Sequence, residues 1–172
     1  MAEGERASAQ EGETTHMKLA TREDIDAPIE AVFEQLSDFD GFERAILRRG
    51  ADVQRVDELA APGPGMAWKT SFAFRGRQRD GRINLDEHAH PDRLRASVRS
   101  SGFETDLLID LVAMSKTRTR MNFAIDARPK SVPARLMIQS LKLARHSMLK
   151  RFRKRIADFA TDLEARAQNR SG

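Results

Sequence analysis

From Trp68 to Ile125, apolar and polar positions alternate in five short runs, the period of two that marks strands with one buried face. Trp68, Thr70, Phe72 and Phe74 alternate with Lys69, Ser71, Ala73 and Arg75, and Ile83 and Leu85 with Arg82, Asn84 and Asp86. Leu94, Ala96 and Val98 are interleaved with Arg93, Arg95 and Arg99. Thr105, Leu107, Ile109 and Leu111 then alternate with Glu104, Asp106 and Asp110, and Thr119, Met121, Phe123 and Ile125 with Arg118, Arg120 and Asn122. Turn residues divide the runs at Gly76, at His90-Pro91-Asp92, at Ser100-Ser101-Gly102 and at Ser115-Lys116. Connections this short predict an antiparallel meander.

Before the meander, Met17 to Asp26 reads as a strand. Asp26-Ala27-Pro28 predicts a helix start, with Asp26 as N-cap and Pro28 in the first turn; Ile29, Val32, Phe33 and Leu36 share its apolar face. Asp38 starts a second short helix through Phe39, Phe42, Ile46 and Leu47. Ala51 to Leu59 is a further expected strand, followed by the loop Ala61-Pro62-Gly63-Pro64-Gly65.

After the meander the period lengthens to that of a helix. Met137, Ile138, Leu141, Ala144, Met148, Leu149, Phe152, Ile156, Phe159 and Leu163 fall on one stripe at helical pitch. Pro133 suits the first turn, and no further Pro or Gly appears before Gly172. The pattern predicts one unbroken helix from Val132 to about Ala167, roughly 45–50 Å long. The order is strand, two short helices, six strands, long helix. A sheet apolar on one side and one long amphipathic helix are complementary surfaces, so the fold class is α+β, with a strongly curved sheet wrapped around the helix.

That order, together with Asp24-Ile25-Asp26-Ala27-Pro28-Ile29-Glu30-Ala31-Val32-Phe33, resembles the START/polyketide-cyclase (SRPBCC) superfamily. Its members open with an I-x-A-P-x-x-x-V-[WF] segment, matched here by Ile25, Ala27, Pro28, Val32 and Phe33. Asp38, the strand from Gly81 to Leu85 and the turn Lys116-Thr117-Arg118 are similar as well. The resemblance covers residues 17–165. It implies the helix-grip fold, a seven-stranded antiparallel sheet gripping the C-terminal helix with a ligand cavity between them. Relatives bind lipids, steroids or polyketides, cyclise aromatic precursors or chaperone cofactors.

Composition narrows the chemistry. The absence of Cys excludes a disulfide framework, thiol catalysis and cysteine metal sites. There is no signal-peptide core and no apolar run long enough to span a bilayer, so a soluble cytoplasmic protein is expected. The net charge of +4 conceals a gradient. Residues 1–16 hold four Glu and one Arg, and are expected to be a disordered acidic tail. Residues 17–167 form a single domain, and 168–172 a second short disordered tail. From Ser131 onward ten Lys and Arg face three acids, so the basic character belongs to the last helix.

If the apolar strand faces line a cavity, its wall comprises Trp68, Thr70, Phe72, Phe74, Leu85, Val98, Leu107, Ile109, Met121 and Phe123, with Met137, Leu141, Ala144 and Met148 from the helix. The same residue types equally suit a plain core. Arg145, flanked by Leu141, Met148, Leu149 and Phe152, either holds an anion at the mouth of the cavity or pairs with a surface acid. His88 and His90 share a strand face at metal-binding spacing, but no third ligand accompanies them. Asp106 and Asp110 alternate with the apolar set and face solvent. No catalytic triad order, phosphate loop or zinc spacing occurs, and no cofactor or metal is expected.

Thr70, Thr105 and Thr119 are the only polar candidates deep in the wall. That scarcity favours binding or carriage of a small hydrophobic ligand over an aromatase/cyclase reaction without metal or covalent nucleophile. The run Lys150-Arg151-Arg153-Lys154-Arg155 raises a third reading, nucleic acid or anionic membrane bound through the basic helix. Nucleic acid is disfavoured because no aromatic residue is interleaved on the outer face. Peripheral membrane contact stays open, as does a small dimer or lipid contact through Leu136 and Leu143. Ligand identity and oligomeric state are not legible.

Overall fold

The computed structural model describes residues 16–170; apart from His16, the expected acidic tail lies outside the described residues. The elements are β1 (Met17–Ile25), α1 (Ile29–Leu36), α2 (Phe39–Arg48), β2 (Asp52–Arg55), β3 (Ala67–Phe74), β4 (Arg77–Ala89), β5 (Arg93–Ser100), β6 (Phe103–Ser115), β7 (Arg118–Pro129), α3 (Val132–Leu143) and α4 (Arg145–Arg170). All seven strands form one antiparallel sheet in the order β1-β7-β6-β5-β4-β3-β2. Only the β1–β7 pairing joins strands distant in sequence.

Cross-strand partners follow the alternation. Trp68 lies opposite Ile83, Ile83 opposite Val98, Val98 opposite Thr105, Ile109 opposite Phe123 and Leu111 opposite Met121, which places the apolar sets on one inner face. Their neighbours form ion pairs on the outer face, among them Arg128–Asp106 and Arg93–Asp110, each at 2.6 Å. Asp106 and Asp110 thus bind arginines on that face. Two bulges, at Asp86 and at Met114, add one residue each and bend the long strands.

The inner face packs on α1 and α4. Ile25, Val32, Phe33, Trp68, Met121 and Leu163 are among the residues sealed in this core, none more than 2% exposed. Backbone hydrogen bonds hold the same corner: Asp26 N–H donates to Glu164 Oε2 at 2.7 Å, and Gln168 Nε2 donates to Asp26 O at 2.8 Å. A smaller cluster of Met17, Leu19 and Ile138 seats α3 against β1.

Four expectations are corrected. The terminal helix is two helices, because at Ala144 the backbone leaves helical geometry (φ −101°, ψ 18°) and its N–H bonds back only three residues, to Leu141 O. α3 packs on the smaller cluster through Ile138, while α4 spans both, with Met148, Leu149 and Phe152 on the smaller and Ile156, Ala160 and Leu163 in the main core. At its far end α4 continues to Arg170 instead of stopping at Ala167, since Ala167 is fully buried and Gln168 is bonded to Asp26. Asp26 does not cap α1: Pro28 is the N-cap residue, without a side-chain bond, and Asp26 bonds α4 through its backbone. The strand expected over Ala51 to Leu59 is short, because Asp57 turns away to chelate Arg55 (2.9 Å to Nε) and to accept the N–H of Leu59 and Ala67. Asp38 does cap α2, accepting the N–H of Gly41 at 3.0 Å.

Candidate functional site

The inner face divides into a sealed part and an open part. Of the residues expected to line a cavity, Trp68, Leu85, Ile109, Met121 and Phe123 are buried in the core, Trp68 against Phe39 and Phe42 of α2 and Phe123 against Phe152 of α4. Thr70, Phe72, Val98, Leu107, Met137, Leu141 and Met148 are half-buried. Phe74, at 41%, is exposed, as are Ala144 and Arg145. The exposure of Arg145 follows from the break at Ala144, which makes it the first residue of α4 and leaves its stem free of the stripe. The half-buried set of the sheet lies toward the β3–β4 hairpin, away from α1. On α4, Met148, Leu149 and Phe152 are also half-buried, packed against the cluster of Met17, Leu19 and Ile138, with the Phe152 ring 5.9 Å from that of Phe123.

Arg79 is the residue that the alternation should have brought to notice. Counting back by twos from Leu85 and Ile83 gives Gly81, Arg79 and Arg77, and β4 does begin at Arg77. Arg79 pairs with Phe72 across the sheet, on the inner face, and its guanidinium lies 6.0 Å from the Phe74 ring centroid. Its Nε is buried without a hydrogen-bond partner. Arg75 and Gly76, both with positive φ (51° and 73°), form the tight two-residue turn that aligns these strands. The turn expected at Gly76 is present, but the alternating run of β4 reaches back past Ile83 to Arg77.

The wall is poor in free hydroxyls. Thr119 is fully buried but donates to Ala27 O at 2.8 Å, and Thr70 donates to Asp52 O at 2.9 Å. Ser37 and His88 make the one serine–histidine contact described, 2.8 Å from Oγ to Nε2. Ser37 Oγ also donates to Phe33 O at 2.8 Å, so its proton is committed and His88 Nε2 is the donor in that contact. His88 faces inward because the bulge at Asp86 reverses the alternation, setting it opposite Leu94. There it packs on Phe33 and Phe39, and burial, with His90 nearby, lowers its pKa. Two shallow depressions of about 280 and 420 Å³ lie on the outer face, one over β1, β6 and β7, the other over β4 and β5.

Solved structures decide what this architecture is. The Zhui aromatase/cyclase from Streptomyces sp. R1128 superposes with a TM-score of 0.59 at 15% identity, over 91% of this chain and 96% of that one. A START superfamily protein from Mycobacterium smegmatis gives 0.53 at 12% identity, over 83% and 98% of the two chains. This chain has the helix-grip fold. Ara h 8.0201 shares it as well, with a TM-score of 0.55 at 14% identity over 86% of this chain and 99% of its own. Identities this low carry the helix grip and no particular activity. No protein-family model and no curated protein matches the chain. Among the described residues, no helix is long and apolar enough to cross a membrane.

Proposed function

We propose that this helix-grip protein binds and carries a small hydrophobic ligand, a lipid, polyketide or aromatic molecule, between the inner sheet face and the C-terminal helices. One observation carries the reading. Phe72, Val98 and Leu107 present half-buried apolar carbon on the inner face of the sheet, and Met148, Leu149 and Phe152 do so on α4. An apolar ligand would remove that surface from water at roughly 25 cal/mol per Å². The kinship of fold with a START superfamily protein supports this.

The enzymatic alternative, of the aromatase/cyclase type, finds less to work with. The hydroxyls of Thr70, Thr119 and Ser37 are committed to backbone carbonyls, which leaves Thr105 as the uncommitted hydroxyl of the expected set. A chain without Cys is compatible with work in the cytoplasm.

Native mass spectrometry of the gently purified full chain, followed by extraction and identification of any adduct, tests the reading. A recurrent hydrophobic adduct supports it. A clean apo mass with no response to a panel of lipids and aromatic molecules overturns it.

A further inference from the structure

The last third of the chain carries a surface that ligand carriage does not explain. From Ser131 to Ala157 there are eight Lys and Arg and no Asp or Glu. Within that stretch α3 is apolar on two opposite sides. Ala134, Ile138 and Leu141 face the fold. At helical pitch Val132, Leu136 and Leu143 fall within about 40° of one another on the far side, and they are 67%, 60% and 92% exposed. On α4, the side opposite its core-facing Met148, Phe152 and Ile156 carries Lys150 and Lys154, with Arg151 beside them, all exposed. The two make an outward stripe, apolar on α3 and cationic on α4.

We propose that this stripe docks the protein on an anionic membrane surface. A bilayer supplies both halves of the complement at the right depths, hydrocarbon for Leu136 and Leu143 and lipid phosphates for Lys150 and Arg151. Other occupants match only one half. A nucleic acid would use the cations but not the leucines, and no aromatic side chain lies on this face for bases to stack on. A second copy of the chain would set cations against cations, with no acid between Ser131 and Ala157 to offset them. Residues 1–16 are acidic, but Met1 and three alanines are their only apolar side chains, too little to cover two leucines.

Co-sedimentation of the full chain with vesicles tests the proposal. Binding to phosphatidylcholine vesicles containing about a third phosphatidylglycerol is expected to exceed that to phosphatidylcholine alone and to weaken with salt. Leu136→Ser/Leu143→Ser lowers the partition coefficient about tenfold. Lys150→Glu/Arg151→Glu lowers it by at least about tenfold. Because all four positions are exposed, unchanged melting temperatures certify the variants as folded. Equal binding to neutral and anionic vesicles, or wild-type binding by both double variants, overturns the proposal. So does salt-sensitive retention of an oligonucleotide without vesicle binding. A dimer that Leu136→Ser/Leu143→Ser dissociates, again without vesicle binding, assigns the stripe to a second copy and overturns it as well.

Discussion

Leu163 and Leu143 sit on the two C-terminal helices with identical side chains and opposite surroundings, so truncating each to Ala isolates what burial contributes. Leu163 has no exposed surface and belongs to the core shared with Ile25, Val32 and Met121. Removing a fully buried Leu side chain costs about 2–5 kcal/mol, and a site enclosed by a helix, a sheet and a second helix has little room to collapse, which puts Leu163→Ala near 3 kcal/mol. For a domain of this size each kcal/mol moves the melting temperature by about 2–4 °C. Leu163→Ala is therefore expected to lower Tm by about 6–12 °C. Leu143, 92% exposed, loses almost no contact. Surface changes stay within about 0.5 kcal/mol, and Ala is a slightly better helix former, so Leu143→Ala shifts Tm by less than about 2 °C. Thermal and urea unfolding followed by the fluorescence of Trp68, the only Trp and itself buried, read both variants with one probe. Similar losses from the two variants, or a larger one from Leu143→Ala, would refute the seating of α4 and the openness of the outward face of α3.

Three further outcomes follow from single contacts. Thr119→Val, nearly isosteric, removes the buried bond to Ala27 O and is expected to cost about 1–3 kcal/mol in urea unfolding, while Thr119→Ser keeps the bond and most of the stability. His88 has a folded pKa below its unfolded value of 6.5, so it binds fewer protons folded than unfolded between those two values. Stability should fall as pH drops through 6.5 and level off below the folded pKa, and Tm measured against pH should flatten there in His88→Gln. The Arg55 guanidinium and the N–H groups of Ala67 and Leu59 hold the Asp57 carboxyl far below its usual 3.8. Its contribution is full above 3.8 and is lost as pH falls through the folded pKa, so Asp57→Asn should blunt the acid limb of the same profile.

Much of the fold was legible because it rests on periodicity. Alternation fixed which face of each strand is inward, and the register of β3 to β7 agrees with it residue by residue. What escaped depends on contacts between elements. Nothing local announces the break at Ala144, where neither Pro nor Gly occurs. Asp26 reads as a cap in sequence, yet its backbone serves α4 more than a hundred residues away. The bulge at Asp86, which turns His88 inward, is set by pairing with β5 and not by β4 alone. The division of the wall into sealed and half-open residues was illegible for a simpler reason. Trp68 and Phe72 are four residues apart on the same strand face, and only the footprint of the helices separates them, with Phe39, Phe42 and Glu43 of α2 on Trp68.

The pairing of β1 with β7 has a consequence for how the protein comes into being. Synthesis proceeds from the N-terminus, so β1 is made first and must wait for Arg118–Pro129 before it gains a neighbour. The meander can zip locally, hairpin by hairpin, but its greasy side stays uncovered until Ile156, Ala160 and Leu163 have followed. Closure thus waits until β7 and α4 have been made, and folding is slowed by contacts this distant in sequence. Until then the uncovered apolar face of the sheet is the surface through which misassembly would start.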